Sequence, residues 1–98
     1  MKKFELAPID SGKSFYGKAI VTEYSDNLAI LTSYITEVAR IENGQFVRMW
    51  SGYSPTTLRH VNAFRSVYGL EAITGLEWKE LPVDTHNPIV NIIKAVIA

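Results

Sequence analysis

A chain of 98 residues with 10 Lys and Arg against 10 Asp and Glu is sized for one domain, 1–98, and carries no net field that would steer it toward nucleic acid, a membrane or an acidic substrate. Its 47% hydrophobic and 20% charged content is that of a folded globule, because disordered chains carry fewer apolar residues and more net charge. The absence of cysteine excludes disulfides, thiolate metal sites and a cysteine nucleophile together.

The opening Met1-Lys2-Lys3 is basic, but Phe4-Glu5-Leu6-Ala7-Pro8 interrupts the apolar run that a signal peptide needs, so a cytoplasmic protein is expected. Ala7-Pro8-Ile9-Asp10-Ser11-Gly12-Lys13-Ser14 has the form of a phosphate loop with Ala7 in place of its first glycine. It leads into Phe15-Tyr16-Gly17-Lys18 and a strand, whereas a phosphate loop leads into a helix whose N-terminus holds the anion. A turn without a nucleotide cofactor is expected. Lys18 to Tyr24 and Leu28 to Thr32, joined by Ser25-Asp26-Asn27, read as a hairpin. Thr36 to Glu42 and Gln45 to Ser51 flank Asn43-Gly44, the dipeptide best suited to a type I′ turn, and read as a second hairpin.

That register sets Ile41 opposite Phe46, Ala39 opposite Arg48, Val38 opposite Met49 and Glu37 opposite Trp50. One face then carries Ile41, Ala39 and Glu37 beside Phe46, Arg48 and Trp50. The other carries Arg40, Val38 and Thr36 beside Val47, Met49 and Ser51. Neither face is plainly the wet one, so either both are partly covered or one is a binding surface.

The next element is a helix over 55–69. Ser54 suits the N-cap, Pro55 the first helical position and Gly69 a left-handed ending. Thr57, Val61, Phe64 and Tyr68, widened by Leu58 and Val67, form an inward stripe, with Arg59, Asn62 and Ser66 on the far side. Thr74 and Glu77 have capping-box spacing and predict a helix over 75–81 with Trp78 and Leu81 turned inward. After Asn87-Pro88, Ile89, Ile92, Ile93 and Val96 make a helical seam of β-branched residues that needs a covering surface, its own sheet or a second copy of the chain. The expected architecture is α+β: a three- to four-stranded antiparallel meander over 15–51, the main helix packed on it, and shorter helices behind.

Catalytic and metal chemistry find little footing. His60 and His86 are the two histidines, and Asp84 beside His86 falls short of the three or four ligands a metal needs. Ser54, His60 and Asp84 make a triad on paper, yet no nucleophile elbow or oxyanion loop accompanies them. No catalytic residue, metal or cofactor is expected. The hydroxyls of Ser54, Thr56 and Thr57 at a helix start, with Arg59 one turn on, allow either anion contact or simple capping.

A local bias is more interesting: Arg40, Arg48, Arg59 and Arg65 face only Glu42 among acids between residues 40 and 65. With Phe46 and Trp50 they could form a sheet face where bases stack and a helix that contacts phosphates. The ordinary reading puts Phe46 and Trp50 in the core, pairs Arg48 with Glu37 and leaves the helical arginines in water.

The run from Met49 to Phe64, MWSGYSPTTLRHVNAF, with Gly69-Leu70 and Trp78, resembles a pattern in short uncharacterised proteins of bacterial mobile elements and phages. The resemblance covers about the central third of the chain; it implies a bacterial or phage origin and assigns no activity to any residue. The expected function is a non-enzymatic interaction module whose partner is another protein or a second copy, self-association running through Ile89, Ile92, Ile93 and Val96. The alternative is nucleic-acid binding through Arg40, Arg48, Arg59 and Arg65.

Overall fold

In a computed structural model describing residues 1–10 and 12–89, alternating β-branched and polar residues build one five-stranded antiparallel meander. Its strands are β1 (Lys2–Glu5), β2 (Ala19–Ser25), β3 (Leu28–Ser33), β4 (Thr36–Glu42) and β5 (Gln45–Arg48), adjacent in chain order. Helices α1 (Pro55–Val67) and α2 (Gly75–Glu80) follow. The α+β class therefore stands, with one strand more than expected. The addition is β1, whose Lys2-Lys3-Phe4-Glu5 is too charged to read as a strand; Phe4 pairs with Val21, and the flanking charges guard an outer edge.

Asn43 and Gly44 take φ of 52° and 80° in the β4–β5 turn, and Ile41 faces Phe46 and Ala39 faces Arg48 as the turn dictates. Beyond that point the register changes. Leu31 pairs with Ala39 but Thr32 pairs with Glu37, which makes Val38 the extra residue of a bulge. Val38 thereby joins Ala39 and Ile41 in the helix-side core. The assignment of Val38 to the opposite face is corrected for this reason: an extra residue shifts the alternation of everything before it by one.

The helix-side core holds Val21, Ala29, Leu31, Val38, Ala39 and Ile41 from the sheet, with Val61, Phe64 and Trp78 from the helices. Leu28, Ile30 and Met49 are buried on the second face, with Tyr24 against them. So both faces bury apolar side chains, as the lack of a plainly wet face implied.

Helix α1 begins where Ser54 Oγ accepts the Thr57 N–H at 3.0 Å. It ends in a complete Schellman motif: Gly69 at φ 76° donates to Ser66 O at 3.1 Å and Leu70 donates to Arg65 O at 2.9 Å. Both bonds of the capping box open α2, which buries Trp78 as expected. Asn62, expected on the wet side, instead clamps the connecting loop, donating to Ile73 O at 3.0 Å and accepting from Ile73 N at 2.9 Å. Val67 is exposed and does not widen the stripe. After α2 the chain turns along β5: Val83 bridges Arg48 in parallel, and Asp84 N donates to Arg48 O at 2.8 Å. Among the described residues no helix is long and apolar enough to cross a membrane.

Candidate functional site

Two turns meet at one end of the sheet. Phe15 to Lys18 closes with Lys18 N donating to Phe15 O at 2.9 Å, and Tyr16 and Gly17 sit at φ 52° and 73°. Tyr34 and Ile35 fill the two-residue β3–β4 turn, with Tyr34 at φ 57°. Tyr34 N donates to Lys18 O at 2.7 Å and locks one turn to the other. Asn-Gly occupies such left-handed positions at little cost, as at residues 43 and 44, whereas a bulky residue there costs on the order of 1–2 kcal/mol. The two strained residues are both tyrosines, and they are 72% and 54% exposed beside an Ile35 that is 96% exposed.

Beneath this end lies a buried polar chain. His60 is only 1% exposed. Its Nδ1 lies 2.7 Å from Ser33 Oγ, which lies 3.2 Å from Thr57 Oγ1. Phe15 meets the imidazole edge-on at a 4.5 Å centroid distance, and Tyr34 leans over it at 5.8 Å. Burial, and then the Arg59 charge, lower the His60 pKa from its usual 6.5, so the ring is kept neutral. Next to it opens a recess of about 220 Å³, lined by Ser33, Tyr34, Thr36, Val38, Trp50, Ser54 and Thr57. Those side chains are aromatic, hydroxylic or aliphatic, and none is charged.

A larger recess, about 370 Å³, sits at the opposite end between the β2–β3 and β4–β5 turns and the end of α1. Glu23 and Asp26 give it an acidic rim, and the Tyr68 hydroxyl donates to Glu23 Oε1 at 2.6 Å. Burial and this carboxylate raise the Tyr68 pKa.

The four arginines lie in four separate settings. Arg40 is buried on the second face, paired with Glu42 at 2.9 Å and Asp84 at 2.8 Å and donating to the carbonyls of Asp84 and His86. Arg48 is buried on the helix side with no carboxylate partner among the described residues. Its guanidinium donates to five carbonyls, those of Trp50, Ser51, Gly52, Lys79 and Leu81, and lies over the Trp78 ring at 4.8 Å. The expected Arg48–Glu37 pair is therefore absent: the bulge turns Glu37 away, and Glu37 accepts from Asn87 instead.

Arg59 holds Asp10 at 3.0 Å and covers Phe15; Arg65 covers Phe46 and donates to Glu71 O at 2.7 Å. Phe46 and Trp50 pack against the helix-side core. That geometry supplies neither a joint basic surface nor a free stacking platform.

Ser54 caps α1 and also lines the smaller recess, as do Thr57 and Trp50, whereas none of the four arginines reaches that site. The paper triad is not assembled, since Asp84 is bound to Arg40 and His60 to Ser33. Ser14 of the phosphate-loop lookalike accepts from Tyr16 N at 3.0 Å in a tight turn. Of the apolar seam, Ile89 is described and donates its N–H to Asn87 Oδ1 at 3.0 Å; Ile92, Ile93 and Val96 lie outside the described residues. Sequence reasoning missed Ser33, Tyr34 and Tyr16. The signal that could have found the turn is the two-residue gap between the apolar run ending at Ser33 and the one beginning at Thr36.

Fold and site together define a small α+β domain, a meander backed by one helical layer, with a hydroxyl-lined recess under an exposed aromatic turn. A family model described as a family of unknown function, DUF8033, matches residues 4–80; the chain belongs to that family. No curated protein and no solved structure matches it.

Proposed function

We propose that this chain is a non-enzymatic interaction module, of bacterial mobile-element or phage origin and acting in the cytoplasm, that meets its partner with the end bearing Tyr16, Tyr34 and Ile35. The observation that carries this reading is the placing of two exposed tyrosines on left-handed backbone, φ 52° and 57°, next to an almost wholly exposed Ile35. Strain of this kind persists where the side chain serves something other than stability. Exposed aromatic and aliphatic groups are what a recognition surface spends such strain on.

The neighbouring Ser33–His60 pair supports binding over turnover. A general base must become an imidazolium, and here burial and Arg59 oppose that charge while no carboxylate among the described residues orients the ring. Nucleic-acid binding draws no such support, because its four arginines are engaged in separate places.

The test replaces Tyr16 and Tyr34, singly and together, by Asn, which tolerates left-handed backbone. Urea unfolding is expected to show each variant as stable as the parent or more stable by up to about 1 kcal/mol. A loss above about 1 kcal/mol at either position would make the tyrosines structural and remove the reading.

A further inference from the structure

The tip of the β4–β5 hairpin holds a reactive pair as well as a turn. Asn43 and Gly44 are both exposed, and a Cβ built on Gly44 would meet nothing within 4 Å, so the junction between them lies open. Among the described residues neither the Asn43 carboxamide nor the Gly44 N–H finds a hydrogen-bond partner. The turn is held instead by Asn43 N donating to Asn27 O at 2.9 Å and by the pairing of Glu42 with Gln45. A side-chain amide carbon that no bond restrains thus sits one residue ahead of a main-chain nitrogen that no side chain shields.

The other asparagines are each blocked. Asn62 lies inside α1 and has both amide atoms tied to Ile73. Asn27 precedes the buried Leu28, and Asn87 precedes Pro88, whose nitrogen has no hydrogen to lose. Asn91 precedes Ile92, whose branched Cβ crowds its own nitrogen.

We infer that Asn43 is a site of spontaneous covalent modification, its side-chain amide being converted to a carboxylate by attack of the Gly44 nitrogen and then of water. Hydroxide takes the Gly44 amide proton and the nitrogen bonds to Asn43 Cγ. The bond from Cγ to Nδ2 breaks, ammonia leaves with a proton from water, and a cyclic imide joins the two residues. Water then adds to one of the two ring carbonyls. Addition at Cγ restores the chain with aspartate, and addition at the main-chain carbonyl leaves isoaspartate, the chain now running through Cβ and Cγ. In sum one amide and one water become one carboxylic acid and one ammonia, with no oxidant or reductant.

The two products act differently on the fold. Aspartate suits the turn, because its short polar side chain accepts left-handed backbone. Isoaspartate lengthens the main chain of a two-residue turn that sets Ile41 opposite Phe46 and Ala39 opposite Arg48, and so works against the β4–β5 register. Either product brings a negative charge to the recess that Gly44 lines together with Glu23 and Asp26. Exposed turns open at little cost, which gives the ring closure its access. The reaction stands apart from the partner-binding end, which lies at the other end of the sheet.

The experiment incubates the folded full chain in warm, mildly alkaline buffer and follows its peptides by mass spectrometry, with isoaspartate counted by an isoaspartyl methyltransferase and a labelled methyl donor. Over about a month the peptide bearing Asn43 is expected to turn from amide to acid about tenfold faster than any other asparagine peptide, and to react with the methyltransferase. Gly44→Ala slows that conversion about tenfold by putting a methyl group beside the attacking nitrogen. Asn43→Asp decides the matter if the alanine variant disturbs the turn: its peptide gains no further acid, which separates Asn43 from the neighbouring Gln45. An intact Asn43 after that time, another asparagine in the lead, continued acid formation in the Asn43→Asp peptide, or conversion only when the chain is unfolded in urea would overturn the inference.

Discussion

Arg48→Met removes every donor from a buried guanidinium while retaining much of its stem, and it takes that donor from five carbonyls, of which Gly52 O keeps the Trp78 indole N–H at 2.9 Å. Two of the bonds are short, 2.8 Å to Trp50 O and 2.8 Å to Ser51 O, and the other three lie between 3.2 and 3.3 Å. Bonds from a charged donor contribute about 1.5–3 kcal/mol each, so the two short ones total about 3–6 kcal/mol. Relief from burying the charge offsets part of this, and the net loss is about 3 kcal/mol. Against a stability of about 5–15 kcal/mol for a domain of this size, the variant still folds but marginally.

Urea unfolding followed by tryptophan fluorescence reads the loss as a midpoint lower by about 2 M, at a slope of about 1.5 kcal/mol/M. Arg48→Lys recovers less than half of it, because a single ammonium cannot reach carbonyls set around a planar fork. A cost below about 1 kcal/mol for the methionine variant, or full recovery by lysine, would refute the view that Arg48 ties the 50–52 loop to the end of α2.

Two more outcomes come from local geometry and from titration. Gly69→Ala lowers stability by about 1 kcal/mol through backbone strain alone, since φ is 76° and a Cβ there meets nothing within 4 Å; Gly69→Asn loses less than half of that. Stability falls as pH drops below the ordinary His60 value of 6.5, because the folded pKa is lowered and the unfolded chain takes up its proton first. The fall continues until the folded-state pKa is reached. Asp10 and Asp84, held below 3.8 by Arg59 and Arg40, add a separate loss only at more acid pH. Urea midpoints at pH 7.5, 6.5 and 5.5 check the sign, and a protein that gains stability over that interval contradicts it.

Much of the fold is written in local chemistry. Ser54-Pro55, Gly69, Thr74 with Glu77, and Asn43-Gly44 each act within a few residues, and each forms the cap or turn it implies. The bulge at Val38 is different, because it is settled by which partner Thr32 finds across the sheet. One residue of slip there exchanges the faces of Glu37 and Val38 and removes the expected ion pair. His60 shows the same limit: on a helix wheel it lies beside Arg59, and its burial depends on Phe15 and Ser33 arriving from distant parts of the chain. The recognition end was illegible for another reason. Tyrosine is a poor residue for left-handed backbone, so at positions 16 and 34 side-chain identity argues against the very turns that form.

The bridge between Val83 and Arg48, with the bond from Asp84 N to Arg48 O, closes one border of the sheet. The segment responsible begins past residue 80, where the family match stops. Without that segment β5 would end the sheet with a row of unpaired backbone groups, a template on which any passing extended chain could lengthen the sheet. In this chain the stretch around Val83 and Asp84 serves as a bung for that border, fastened by Arg40 to the carbonyls of Asp84 and His86.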